Sequence, residues 1–293
     1  MDSVRVSSSS LAIQFLALNL FFHIVLSVDY CAIQKQKCHN KPHIGCEKKA
    51  TFQLNQKCYD MEVIPMTQSM KDAVVNRHNQ LRNKLAAGKT PKYPSASMMK
   101  EIFWDDELEE VACKHVKWCQ FDHDSCRATR SYDHPGQNLR KSSDYVHIAP
   151  NYEEILVETT DDWFDEYSNV ASSIVDKYES RGGKLYGHFT VMSRDVQDKM
   201  GCCMVQYLHY ERNYWWRNTL VTCDYRETNF IGNPVYRRGP PTSECREWGS
   251  DYKPSPRYPY LCTNQKSGRS YDPYYGSESQ TSEVVVSLNS TSS

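Results

Sequence analysis

Two histidines lie in sequence settings that could support chemistry at a cleft. His123 stands between Cys119 and Cys126, where disulfides would hold its segment rigid. His188 belongs to a Gly-His-Phe-Thr motif and follows an acidic helical stretch that ends near Glu166. Imidazole nitrogens beside a carboxylate can bind Zn²⁺ or transfer protons. The spacing of the two segments leaves open whether the two histidines meet in space.

Sequence motifs give little support for an enzyme. No phosphate-binding glycine loop, HExxH motif or GxSxG motif occurs in the chain. A hydrolase could be assembled from Ser193, His188 and Glu166, but nothing in the local sequence marks Ser193 as an activated nucleophile. We therefore expect no catalytic residues. A secreted, protease-like hydrolase that uses the His and Glu side chains of a cleft is the alternative.

Apolar periodicity predicts three helices in the first two thirds of the chain. The first begins at Ser69 as its N-cap and ends at Gly88, a residue suited to the left-handed conformation after a helix. The others cover residues 105–119 and 152–167.

Residues 203–210 and 215–225 are rich in Tyr, Trp, Val and Leu and predict an antiparallel hairpin. Helices followed by strands favour an α+β fold or a sandwich of helices and sheet over alternating β-α-β units. The Tyr-Trp-Trp sequence at residues 214–216 could form an apolar ligand surface, although packing within the hairpin is the simpler interpretation.

The N-terminus has the pattern of an export signal. Arg5 precedes a mostly apolar stretch at residues 11–26, and Ser27 is a small residue suited to cleavage. This run of about 16 residues is shorter than the ~20 needed for a membrane span. Residues 1–27 are thus predicted to be a signal peptide, with a signal anchor as the alternative. We expect a secreted, extracellular protein without a membrane span in the mature chain.

Charge and cysteine content narrow the classes of function further. The 35 Lys and Arg nearly balance the 36 Asp and Glu, whereas non-specific nucleic-acid binding needs a basic face. A mean hydropathy of −0.70 excludes a polytopic membrane protein. All 12 cysteines follow the predicted signal peptide, so disulfides are expected rather than thiolate metal sites.

Short motifs follow one another in a characteristic order along residues 30–262. They are His78-Asn79-Gln80-Leu81-Arg82, Trp104-Asp105-Asp106-Glu107-Leu108, the segment 119–126, Gly136-Gln137-Asn138, Gly187-His188-Phe189-Thr190, Gly201-Cys202 and the segment 220–225. Taken together, they resemble the CAP superfamily of cysteine-rich secretory proteins, antigen 5 venom allergens and plant pathogenesis-related proteins. Within that group the chain is most similar to insect antigen 5 proteins, and residues 232–262 resemble fly members in particular.

The resemblance implies a three-layer α-β-α sandwich with a central cleft. In the family this cleft carries two histidines and two acids, which correspond here to His123, His188, Glu166 and Gln137. Because Gln137 replaces an acid and a neutral amide is a poor metal ligand, we expect His123 and His188 to bind Zn²⁺ only weakly and optionally, with no cofactor required. On the same argument, Gln137→Glu is expected to tighten zinc binding. The alternative is a polar network in which Gln137 and Glu166 hydrogen-bond the two histidines without metal.

The resemblance also implies a disulfide scheme. It pairs Cys31 with Cys46, Cys38 with Cys126, Cys58 with Cys119 and Cys202 with Cys223. Locality and the fly-like tail suggest a bridge between Cys245 and Cys262. Cys113 and Cys203 remain, and they either pair by elimination or stay free.

These inferences divide the chain into five segments. They are a signal peptide (1–27), a Cys-rich N-terminal extension (28–66), a CAP domain (67–232), a disulfide-pinned C-terminal extension (233–266) and a disordered tail (267–293) that contains the glycosylation sequon of Asn289. The expected function is that of a secreted, non-enzymatic antigen 5-like protein. It would bind a small or lipid-like ligand, or an extracellular protein, through its cleft and surface.

Overall fold

The computed structural model describes residues 28–46, 58–180 and 182–264. The predicted signal peptide, the C-terminal tail and Asn289 lie outside these ranges. Within them, no helix is long and apolar enough to cross a membrane.

A five-stranded sheet forms the middle of the molecule. Its strands are β1 (Tyr59–Ile64), β2 (Phe103–Trp104), β3 (Gly136–Tyr145), β4 (Lys199–Glu211) and β5 (Tyr214–Tyr225). They lie in the order β1-β4-β5-β3 with antiparallel neighbours, and β2 runs parallel to the start of β4. The predicted β4–β5 hairpin is confirmed, and its turn residues Arg212 and Asn213 have positive φ angles of 52° and 65°. Two positive φ angles are typical of a two-residue type I′ turn, whose twist matches that of the strands.

Helices cover both faces of this sheet. The helices are α1 (Tyr30–Lys37), α2 (Gln68–Ala86), α3 (Asp106–Val116), α4 (Tyr152–Asp165) and α5 (Gly187–Ser193). The apolar residues of α2, α4 and α5 form one core with the sheet, whereas α3 packs on the opposite face. Outside α3, Tyr30 and Ile33 of α1 pack against Val111. The predicted α+β, three-layer α-β-α sandwich is therefore confirmed.

Strand β4 lies between these two layers and is apolar on both sides. Cys202 and Met204 belong to the core shared with α2 and α4, while Cys203 and Val205 pack against Ala112 of α3. Successive residues of a strand point to opposite faces, so a strand that is covered twice loses the alternation of apolar and polar residues.

At Gly201 the first turn of α3 lies directly against β4. A Cβ atom added there would stand 2.1 Å from the backbone nitrogen of Glu109 and 2.7 Å from the carbonyl oxygen of Asp105. Asp105 also caps the helix, because its Oδ1 accepts a hydrogen bond from the backbone N–H of Leu108 at 3.1 Å. This close approach fixes α3 and the loop after it, which carries His123.

Helix α2 starts at a different residue from the predicted one. Thr67, not Ser69, is the N-cap, and its Oγ1 accepts from the N–H of Met70 at 3.3 Å. The hydroxyl of Ser69 instead donates to Glu153 of α4. At the other end, Gly88 has a φ of +69°, the left-handed conformation expected for it.

The N-terminal extension contributes to the sandwich itself. It contains α1, and its strand β1 pairs with β4 at the edge of the sheet. Four of the six residues of β1 are exposed, so the strand lacks the alternating pattern that would reveal it. The residues counted as an extension therefore include one strand of the central sheet.

Six disulfides join these elements, and no cysteine is free among the described residues. The pairs are Cys31–Cys46, Cys38–Cys126, Cys58–Cys119, Cys113–Cys203, Cys202–Cys223 and Cys245–Cys262. Five are the pairs of the scheme given above, and Cys113 pairs with Cys203 instead of staying free. The adjacent Cys202 and Cys203 point to opposite faces of β4, which explains how one bridges to β5 and the other to α3.

The C-terminal extension is held against the start of the sheet. It forms a small hairpin of β6 (Lys253–Pro254) and β7 (Cys262–Thr263), which the bridge to Cys245 closes. The buried Lys100 lies with its Nζ 4.0 Å from the ring centre of Trp248 and 3.6 Å from Asp198 Oδ2. A cation between a carboxylate and an aromatic face stabilises this contact.

Candidate functional site

The predicted tetrad forms two halves that come from opposite layers of the sandwich. Gln137 and Asn138 are neighbours on the edge strand β3, so their side chains point to opposite faces. Gln137 contacts His123, which lies in the loop after α3. Asn138 Nδ2 donates to the carbonyl oxygen of His188 on α5 at 3.2 Å. The start of β3 is thus the element that positions both histidines.

In the first half, Gln137 links His123 to a buried acid. Its Nε2 donates to Asp124 Oδ2 at 2.9 Å, and its Oε1 lies 2.9 Å from His123 Nδ1. An amide oxygen only accepts hydrogen bonds, so the ring must donate from Nδ1. His123 Nε2 is then left with a lone pair that can bind a metal ion or accept a hydrogen bond from a ligand.

In the second half, a histidine ring again donates from Nδ1, here to a carboxylate. His188 Nδ1 donates to Glu166 Oε1 at 2.7 Å. The backbone N–H groups of His188 and Phe189 donate to Glu166 Oε2 at 3.1 and 3.4 Å. The ring of Trp163 lies 5.9 Å from that of His188. Glu166 therefore orients His188 through two hydrogen bonds to that residue and one to its neighbour Phe189, and it leaves His188 Nε2 available.

Burial and charge keep His123 neutral at physiological pH. Although the residue is exposed in part, desolvation of the ring lowers its pKa below 6.5, and the positive charges of Arg127 and His188 lower it further. His123 thus presents the neutral imidazole that a metal ion requires.

Two buried acids behind the cleft were not predicted from the sequence. Burial alone would raise the pKa of Asp124, but the charge of Arg127 and the hydrogen bond from Gln137 outweigh it and lower that pKa. Asp224 is completely buried, and within the described ranges neither of its carboxylate oxygens has a partner with full hydrogen-bond geometry. Burial therefore raises its pKa strongly, although Arg127 Nε lies 3.8 Å from its Oδ1. Both acids stand next to recognised motif residues, but no local pattern distinguishes them from ordinary polar neighbours.

A buried hydrogen-bond chain supports the site from α2. His78 Nε2 lies 2.8 Å from the hydroxyl of Tyr225, and Asn138 Nδ2 donates to the same hydroxyl at 3.3 Å. His78 Nδ1 lies 2.8 Å from the carbonyl oxygen of Val74. Burial lowers the pKa of His78 to about 4, so this histidine acts as a neutral packing residue of the core.

Few side chains of the tetrad have atoms left to bind a metal ion. In the described ranges, one group brings three His, Cys, Asp or Glu ligand atoms within 4.8 Å of one another, and it consists of Cys38, His43 and Cys126. Its sulfurs are joined in a disulfide, so it offers no thiolates. In the tetrad, the carboxylate of Glu166 already accepts from His188. The available ligands at the cleft are therefore the Nε2 atoms of His123 and His188.

Ser193 is poorly placed to act as a nucleophile. Its side chain is fully buried at the end of α5, and its hydroxyl has no hydrogen-bond partner among the described residues. It lies five positions after His188, so the two side chains point about 140° apart around the helix.

The order of helices and strands agrees with a match to a known protein family. Residues 75–225 match the family described as "CAP: Cysteine-rich secretory protein family". The chain belongs to the CAP family. Venom allergen-1 of Aedes albopictus is 34% identical over 246 residues, which cover 83% of this chain and 90% of that protein. The antigen 5 like allergen Cul n 1 of Culicoides nubeculosus is 34% identical over 200 residues, or 65% of this chain and 89% of the allergen.

Solved structures show the same CAP fold at lower identity. Na-ASP-1 has a TM-score of 0.53 and 24% identity, and the match covers 73% of this chain and 51% of that one. The chain thus spans about half the length of Na-ASP-1. A structure titled NaASP2 with Zn²⁺ has a TM-score of 0.52 and 22% identity, with coverage of 72% and 100%.

Proposed function

We propose that this antigen 5-like CAP protein is secreted and non-enzymatic, and that it binds a small or lipid-like ligand, or an extracellular partner, at its histidine cleft. The observation that carries the proposal is the matched orientation of the two imidazoles. Each ring donates from Nδ1 to a fixed acceptor, so that both Nε2 atoms are free to accept from a ligand or to hold a cation. A secreted location is supported by relatives that are named as venom allergens and by six disulfides, which persist in oxidising compartments.

The burial of Ser193 supports a binding role over the alternative of a hydrolase. Glu166 orients His188, as a triad acid would, but no activated hydroxyl is paired with this histidine in the described residues. The NaASP2 structure is described as one with Zn²⁺, which supports a cation as one occupant of the cleft. In this chain His123 and His188 would hold the ion, which would supply a positive charge for anionic groups of a ligand.

We expect weak zinc binding that depends on both histidines. His123→Ala and His188→Ala should each weaken it by more than about tenfold, because each removes one of two ligands. Protons compete for the ring nitrogens, so affinity should fall at acidic pH. Because the pKa of His123 is lowered, its own share of this loss comes at a lower pH than for an ordinary histidine. Titration calorimetry of the wild type and variants between pH 5 and 8 measures the effect.

His134→Ala is the matched control for zinc binding, because His134 is exposed and lies outside the tetrad. It should leave zinc binding unchanged. Equal binding by wild type and both tetrad variants would place the ion elsewhere and contradict the assignment.

The ligand itself is expected to co-purify with the protein. Protein isolated from its native secretion should release a bound small molecule or lipid on solvent extraction, detected by mass spectrometry at about one per chain. His188→Ala protein exposed to the same extract should retain less of it, because the cleft loses an acceptor that is oriented by Glu166. Equal retention by this variant and the wild type would argue against the cleft as the binding site.

A further inference from the structure

The sheet extends beyond the helices at the end opposite to the cleft. Burial falls off along β3, β4 and β5 toward this end. Of the eleven large hydrophobic side chains that are exposed in the described residues, eight lie here. We call this region the hairpin end, and its exposed members are Tyr59, Met61, Tyr145, Val146, Ile148, Tyr210, Tyr214 and Trp215.

Aromatic side chains cover both faces of the hairpin end. On one face, the ring of Trp215 lies 5.1 Å from that of Tyr210 and 5.5 Å from that of Tyr59. On the other face, Tyr145 stacks on Trp216 at 5.1 Å. Trp215 and Trp216 are adjacent in β5, so they necessarily point to opposite sides. Packing within the hairpin, the simpler interpretation of the Tyr-Trp-Trp sequence, accounts for these contacts but leaves Tyr214 65% and Trp215 45% exposed.

We propose that the hairpin end docks the protein on the headgroup region of a bilayer of zwitterionic lipid. Tyr and Trp favour this region because their rings have an apolar body and a polar edge. A protein partner usually covers one face of a sheet, whereas a membrane surrounds a protruding hairpin on both faces. The two-sided aromatic surface therefore fits a lipid surface better than a protein surface.

The charges of the hairpin end fit headgroups that carry both signs. Arg212 at the turn is highly exposed and lies 4.0 Å from the carboxylate of its neighbour Glu211. Arg217 donates to the carbonyl oxygens of Val146, at 2.7 Å, and Ile148, which holds the apolar 145–148 loop beside the hairpin. The exposed acids Asp144, Asp60 and Glu62 offset these two cations, so the hairpin end carries no excess of positive charge. A phosphocholine headgroup presents one phosphate and one ammonium, so no excess of anionic lipid is required.

Docking in this way would place the cleft in the aqueous phase. Tyr214 and Asp224 stand ten positions apart on β5, a distance of about 30 Å along the strand. The histidines would therefore face away from the membrane and stay accessible to soluble ligands. This proposal is independent of the one for the cleft, because the two regions share no residues.

The test is sedimentation with vesicles of pure phosphatidylcholine. Full-length mature protein is expected to bind them, and Tyr214→Ser/Trp215→Ser should reduce the partition coefficient by about tenfold or more through loss of apolar area. Replacing about a fifth of the lipid with phosphatidylserine should not strengthen binding, because the hairpin end carries no excess of positive charge. Raising the salt from about 0.1 to 0.5 M should weaken binding by less than about twofold for the same reason.

Leu185→Ser is the matched control, because Leu185 is 68% exposed but lies three residues before His188. It should bind vesicles like the wild type. The proposal is overturned if the wild type fails to sediment with the vesicles or if Leu185→Ser weakens binding equally. It is also overturned if analytical ultracentrifugation shows a dimer that the double variant dissociates, since the occupant would then be a second copy. Thermal unfolding of the variants checks that both remain folded.

Discussion

Gln137→Glu is expected to destabilise the folded protein by about 3 kcal/mol at neutral pH. The amide of Gln137 donates to Asp124 Oδ2 at 2.9 Å, and an ionised glutamate has no proton to give. Its charge would instead face Asp124, with the buried Asp224 close by. The expectation that the same substitution tightens zinc binding concerns only the charge that faces the ion, and it stays a separate prediction for the folded variant. Urea unfolding measures the loss, and the melting temperature should fall by about 2–4 °C per kcal/mol.

A double variant separates this repulsion from simple misfit. In Asp124→Asn/Gln137→Glu, the amide introduced at position 124 can donate to the carboxylate introduced at position 137. We expect it to recover at least about half of the lost stability, because donor and acceptor are merely exchanged. A double variant no more stable than Gln137→Glu would contradict the proposed role of Asp124, and so would an unchanged single variant.

Arg82→Met is expected to cost more than about 4 kcal/mol of folding stability. Arg82 is completely buried on α2, and its guanidinium donates to four backbone carbonyl oxygens. These belong to Met192, Arg194, Lys100 and Gln197, at 2.5, 2.9, 2.6 and 3.1 Å. Methionine fills a similar volume but leaves these buried acceptors without donors. Chemical denaturation with urea should show the loss, and Arg82→Lys should recover little of it because an ammonium cannot reproduce the planar fork.

Arg77→Met provides the matched control on the same helix. Arg77 is partly exposed and pairs with Asp161 of α4 at 2.6 Å. A partly solvated ion pair contributes little to folding stability, so we expect Arg77→Met to lower the free energy of unfolding by less than about 1 kcal/mol. If the two substitutions lower the free energy of unfolding by the same amount, the carbonyl contacts of Arg82 do not stabilise the segment that follows α5.

Local rules explain which elements of the fold were predictable from the sequence. The hairpin was predictable because its strands are long, rich in β-branched and aromatic residues, and joined by a short polar turn. The predicted N-cap of α2 was wrong because Thr67 and Ser69 are chemically equivalent caps. The contact of Ser69 with α4 decides which of the two caps the helix. Strand β1 was missed because it exists through its pairing with β4, which no local pattern encodes.

Long-range contacts limit what the sequence could reveal about the site. The identity of the four cleft residues came from resemblance, since 14 and 22 positions separate the partners in its two hydrogen-bonded pairs. Asp124 is adjacent to His123, yet its role depends on which way the amide of Gln137 points. That orientation follows from the buried position of Asp124 beside Arg127, which becomes visible only in three dimensions.

The disulfides around the cleft also decide how the protein would respond to proteolysis. Before the connection between residues 46 and 58, Cys31 is bridged to Cys46, and Cys38 is bridged to Cys126, which lies after the connection. Cys58, at the end of the connection, is bridged to Cys119. A peptide bond cleaved between residues 46 and 58 would therefore yield a two-chain molecule whose parts stay covalently joined through the segment that carries His123. Such a nicked protein would separate into fragments only after reduction, so cleavage there would leave the cleft assembled for as long as the medium stays oxidising.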